Sequence, residues 1–197
     1  MPVLVSRTFY LYNVMDISDI DKLPARRSIR LPQFDYSQVG QYFVTICAFQ
    51  MRCLFGRIED AESRLSLIGE IAQDCWLQIP RHFPCVTLEP FVIMPNHIHG
   101  ILTINKDGHG DAVPLHHPEG FQKAAAGSVP TIIRSYKAAV TYRVHADSMR
   151  RSIQVWQSNY FERVLLSGKE FLAASRYIVE NPKLWHLDKE KRNPQSV

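Results

Sequence analysis

Two imidazoles separated by a single residue inside an apolar run are the first side chains in this chain whose types and spacing suit chemistry. They are His97 and His99, in FVIMPNHIHGILTI at residues 91–104. In an extended segment side chains alternate, so His97 and His99 share one face with Ile101 and Thr103, while Ile98, Gly100, Leu102 and Ile104 share the other. The two rings then stand about 6–7 Å apart along the strand, near enough to grip one divalent ion between them. An H-x-H triplet alone is a weak signal, and a buried pair held by hydrogen bonds to neighbouring strands is the competing reading. Two ligands are too few for a tight site, and neither Asp nor Glu occurs between Phe91 and Asn105.

A third donor is available in SRYIVENP, where Tyr177 and Asn181 are four residues apart and fall on one stripe of a helix. The Asn181 amide oxygen would complete a two-nitrogen, one-oxygen site with positions left open for substrate. A phenol, with an ordinary pKa of about 10, is a poor nucleophile at neutral pH unless positive charge stands beside it. A cation one helical turn from Tyr177 would supply that charge. The plain alternative for Tyr177 is a core tyrosine on an amphipathic helix.

These residues need a scaffold, and the hydrophobic periodicity supplies one. Residues 42–49 are apolar on both alternating faces and read as a central strand, with 54–58 extending or pairing with it. From Ser66 the period becomes helical through Ile68, Ile71, Ala72, Cys75 and Ile79, and Pro80 is the expected stop. Residues 86–94 and 97–104 form a hairpin across Pro95-Asn96. A second helix is expected over 130–145, with Ile133, Tyr136, Val140 and Val144 inward and a basic outer side. Residues 154–166 supply the fourth strand. SGKE then carries a capping-box pattern, Ser167 with Glu170 three residues on, and opens a helix over 169–181 that Pro182 should end. The order β-α-β-β-α-β-α predicts an α+β fold of the ferredoxin-like, split βαβ type. Its four-stranded antiparallel sheet has helices on one face, and a C-terminal helix carries Tyr177. Residues 1–30 read as an arm, 31–185 as the domain, 105–128 as a flexible insertion containing His109, His116 and His117, and 186–197 as a tail.

Composition narrows the class further. The chain has 197 residues, 46% of them hydrophobic and 21% charged, within the ordinary globular range. No apolar run approaches the roughly 18–20 residues needed to cross a bilayer, and residues 1–16 do not read as a signal peptide. Cys47, Cys53, Cys75 and Cys85 show no CxxC spacing, which favours a reducing cytoplasm. The net charge of +4 is modest but clustered. It gathers in ARRSIR at 25–30 and again from Arg134 through Lys137 and Arg143 to Arg150 and Arg151, so a polyanionic partner is expected.

MPNHIHGIL, IIRSYKAAVTYRV, VWQSNYFERVLL and YIVENP follow one another in this chain, preceded by RRSIRLPQFDYSQVGQYFVTICAFQMRCLFG. This series, over about residues 26–185, resembles the single-tyrosine HUH transposases, particularly the REP-associated tyrosine transposase branch. The resemblance implies a metal-dependent endonuclease and strand transferase of single-stranded DNA that uses Mg²⁺ or Mn²⁺. His97 and His99 match the family's metal histidines, Tyr177 its nucleophile and Asn181 its third ligand, with Tyr160 as the competing tyrosine. A 5′-phosphotyrosine intermediate, a DNA hairpin as partner and a bacterial, nucleoid-associated setting are implied as well. Relatives include both dimers and monomers, so a homodimer stays open. Arg134 and Lys137 would neutralise phosphates, and Trp156, Tyr160 or Phe161 would stack on unpaired bases, with a place in the core as the competing and favoured reading for each of these aromatics. Leu165 and Leu166 stand where relatives commonly show an Ile-Arg pair.

A non-catalytic single-strand-binding or regulatory protein on the same scaffold is the principal alternative. A histidine-dependent nucleotide hydrolase would need another histidine at the next alternate position, which is Ile101. A zinc site would need a thiolate or a third imidazole nearby.

Overall fold

Val44 and Ile46 point one way from the first strand and Phe43 and Thr45 the other, and all four are buried. That pattern requires cover on both sides of the sheet. The computed structural model describes residues 38–105 and 127–185 and provides it. The expected arm, the tail, the ARRSIR cluster, His109, His116 and His117, and all but the ends of the insertion lie outside the described residues.

The main sheet contains β1 (Gly40–Cys47), β4 (Val86–Ile93), β5 (His97–Ile104) and β6 (Phe161–Leu165), in the order β4-β5-β1-β6. Every neighbouring pair is antiparallel. Two helices, α1 (Leu67–Leu77) and α3 (Val129–His145), cover one face. Their Ile68, Ala72, Trp76, Ile133, Val140 and Val144 form the larger core with Tyr42, Val44, Ile46, Ile98 and Leu102. The last helix, α4 (Gly168–Leu184), covers the other face, where Ile178 meets Phe43, Ile101 and Leu165. The α+β, ferredoxin-like arrangement with an added C-terminal helix is therefore the observed fold. Among the described residues no helix is long and apolar enough to cross a membrane.

Several local expectations are corrected. Residues 54–58 do not join the main sheet. Instead β2 (Gly56–Glu59) pairs with β3 (Glu62–Leu65) in a separate hairpin. Its turn residues Asp60 and Ala61 both have positive φ, 51° and 61°. Such a turn usually advertises itself by Asn-Gly or Asp-Gly, and alanine conceals it.

Pro80 does not end the helical region. It stands in the first turn of a second short helix, α2 (Ile79–His82), where a missing N–H is tolerated. Pro182 does not stop α4 at Asn181 either. It removes one i→i−4 bond near the end, and the chain completes one more turn with the Trp185 N–H donating to the Pro182 carbonyl. The fourth strand is shorter than expected, since before Phe161 the segment makes only an isolated bridge between Trp156 and Ala48.

The helix starts follow the sequence more closely. Ser66 Oγ accepts from the Gly69 N–H at 3.1 Å, and Ser167 Oγ accepts from the Glu170 N–H at 3.3 Å. Glu170 reaches back to the Leu166 N–H at 3.3 Å, one residue earlier than in the usual capping box.

Gly100 lets α1 approach β5. A Cβ there would lie 2.4 Å from Trp76 Cζ2 and 3.3 Å from Phe91 Cβ, on the face away from the histidines. Gly100→Ala is expected to destabilise the fold by about 1–3 kcal/mol through overpacking, read as a lower urea midpoint with an unchanged slope.

Candidate functional site

The hairpin that carries the histidines is pinned at its turn. The Met94 N–H donates to the His97 carbonyl, and the Ala48 N–H to the Asn96 carbonyl, both at 2.8 Å. The Phe55 N–H donates to the Pro95 carbonyl at 2.9 Å. Strand alternation from that fixed point sends His97 and His99 to the face covered by α4, and their ring centroids are 4.4 Å apart. Both are buried, with exposures of 0% and 2%.

Each ring has a neighbour at its Nδ1. For His97 it is Asn96 Oδ1 at 2.7 Å. For His99 it is Thr45 Oγ1 at 2.8 Å, on the strand position directly opposite. Phe43 stacks on the His99 ring at 5.4 Å.

From the other side α4 brings Tyr177 down onto His99. Tyr177 Oη lies 3.4 Å from His99 Nε2, and the ring centroids are 5.2 Å apart. Asn181, one turn further on, is 4% exposed. The Trp185 ring lies 6.1 Å from that of His97. His97, His99 and Tyr177 thus converge in a single chain, with Asn181 buried on the same helix. Among the described residues no group of three or more His, Cys, Asp or Glu side chains is arranged to hold a metal ion.

The residues expected at a nucleic-acid surface are placed differently. Arg134 is exposed on α3, on the opposite side of the sheet from His97 and His99. Trp156, weighed between base stacking and the core, takes the core: it is 7% exposed, with its ring beside Phe55 and Tyr136 and its Nε1 donating to the Lys137 carbonyl at 3.1 Å. Tyr160 packs against the larger core, and its hydroxyl donates to Glu162 Oε2 at 2.5 Å, away from the histidines.

Lys137, expected on phosphates, donates to the carbonyls of Gln157 at 2.5 Å and Ser158 at 3.1 Å. Burial pushes its ammonium down from the ordinary 10.5 to about 8. Between these values the unfolded chain binds the proton more tightly than the folded one, so stability due to Lys137 rises with pH across that window. In urea titrations from pH 7 to 10, wild type is expected to gain stability relative to Lys137→Met above about pH 8. Parallel curves for the two proteins would remove the linkage.

Thr45, Asn96 and Trp185 were not singled out from the sequence. Thr45 reads locally as one strand residue among many, and Asn96 as a turn residue. Only the β1–β5 register and the position of Asn96 beside His97 could have signalled the first two.

No family model matches the chain. A Haemophilus influenzae protein described as an "Uncharacterized protein" is 39% identical over 166 residues, covering 83% of this chain and 91% of that one. Among solved structures, a REP-associated tyrosine transposase bound to a REP hairpin is similar with a TM-score of 0.52, over 78% of this chain and 72% of that one. The two share 17% of their residues, so this likeness is one of fold. Identity and coverage of that extent mean that the chain belongs to the same family as the Haemophilus influenzae protein.

Proposed function

We propose that this protein is a metal-dependent single-stranded DNA endonuclease and strand transferase of the REP-associated tyrosine transposase type. The observation that carries the reading is the 3.4 Å approach of Tyr177 Oη to His99 Nε2, on a strand face where His97 stands beside His99. His97 and His99 would hold the ion through Nε2, and Asn181 through its amide oxygen. Two imidazoles with one amide oxygen leave places for water or phosphate oxygens, a mixed set compatible with Mn²⁺ or Mg²⁺. When bound, such an ion supplies positive charge for a phosphate oxygen in the transition state.

The chain's own contribution is the phenol. Tyr177 loses its proton and its oxygen bonds to phosphorus, while the bond from phosphorus to the 3′ oxygen breaks. A 5′-phosphotyrosine and a free 3′-hydroxyl result. One phosphodiester replaces another, so the step reverses onto a new 3′ end without ATP. A folded DNA hairpin is the proposed partner. Because the tyrosine and both histidines come from one chain, the arrangement supports a protomer that is complete by itself.

One observation favours the non-catalytic alternative: both histidines are buried, with Tyr177 of α4 lying against His99. Labelled hairpin-containing single strands incubated with the protein and Mn²⁺ separate the two readings. A detergent-resistant protein–DNA adduct is expected; tight binding without an adduct across a panel of hairpins would favour the alternative.

A further inference from the structure

Thr45 and Asn96 have no part in the chemistry above, yet each touches the far nitrogen of one histidine. Both are buried, with exposures of 3% and 0%. Asn96 is also fixed by its backbone, whose carbonyl accepts from the Ala48 N–H at 2.8 Å. Its side-chain oxygen lies 2.7 Å from His97 Nδ1. An amide oxygen only accepts, so the proton in this bond belongs to His97 Nδ1, and the neutral ring carries its lone pair on Nε2.

Thr45 acts on His99 from the neighbouring strand, at 2.8 Å. A hydroxyl accepts or donates as required. Asn96 therefore dictates the tautomer of its histidine, while Thr45 holds its ring and follows the tautomer. On the Nε2 side of His99 stands the Tyr177 phenol.

We infer that Asn96 and Thr45 are positioning residues that preset His97 and His99 as Nε2 donors to a divalent cation. Asn96 fixes the proton and Thr45 the ring. The inference rests on the metal-dependent reading above, and its test keeps the two apart. Outer hydrogen bonds of this kind commonly change metal affinity by about 10–100-fold.

The test uses the full chain without DNA and titrates Mn²⁺ calorimetrically. Asn96→Ala is expected to weaken Mn²⁺ binding by about 10–100-fold, and Asn96→Asp, which keeps an acceptor, to restore most of it. Thr45→Val should weaken binding by a smaller factor and Thr45→Ser restore it. A residue that merely holds the turn would alter stability without this pattern of loss and rescue.

If Asn96→Ala and Thr45→Val bind like wild type while His97→Ala loses the ion, the inference fails and the metal reading stands. If wild type binds Mn²⁺ no better than His97→Ala, both fail. Should Asn96→Ala not fold, long-range ¹H–¹⁵N correlations on wild type with labelled histidine decide the matter. A proton on Nδ1 of His97 supports the inference, and one on Nε2 overturns it.

Discussion

Replacing Tyr177 by phenylalanine is expected to abolish covalent capture of single-stranded DNA. Loss of a nucleophile that has no substitute lowers turnover by on the order of 10⁴- to 10⁶-fold, which takes the adduct below detection on a denaturing gel. The substitution removes one oxygen and keeps the ring that meets Phe43 at 6.3 Å and His99 at 5.2 Å, so the fold and hairpin affinity should be retained. Thermal unfolding and fluorescence anisotropy check those two controls. Tyr160→Phe is the paired comparison. Its hydroxyl is occupied by Glu162 and its ring packs with the larger core, so the adduct should form as in wild type. An adduct that survives in Tyr177→Phe and disappears in Tyr160→Phe would transfer the nucleophile's role to Tyr160 and sink the proposed site.

The second large effect concerns the ion. Chelation with excess EDTA is expected to reduce adduct formation by about 10³-fold or more, since charge stabilisation by a bound cation is worth several kcal/mol. Adding back Mn²⁺ or Mg²⁺ should restore it. His97→Ala and His99→Ala should lose the same activity and respond weakly to added ion. Full adduct formation in EDTA by a protein stripped of metal beforehand would remove the cation from the mechanism. The His99 variant also deprives Thr45 of its partner, so its folding has to be measured alongside.

How much of this was legible in the sequence follows from which signals are local. Alternation in HIHGIL fixed the face of both histidines, and the four-residue spacing of Tyr177 and Asn181 fixed their common stripe. The element order implied the sheet in which β5 pairs with β1. What periodicity does not carry is register. Thr45 meets His99 because of a cross-strand pairing set by every residue of β1 and β5 together, and nothing within either segment announces it. Trp156 illustrates a second limit. An indole beside polar residues suits a base-stacking surface and a core equally well, and only the approach of Phe55 and Tyr136 decides for the core. Proline misled for a third reason. Its rule concerns what a helix prefers, and at Pro182 the remaining turn was short enough for one lost hydrogen bond to be tolerated.

The narrow seam under α4 has a consequence for how the molecule can work. Of its seventeen residues only Ile178 and Asn181 are fully buried, while Leu172 and Val179 face outward at 67% and 66% exposure. Such a lightly fastened segment belongs to the low-stability end of a protein, able to open while the remainder stays folded. Opening of that segment would uncover Phe43 and Ile101 together with the imidazoles, while the larger core on the other face of the sheet stays closed.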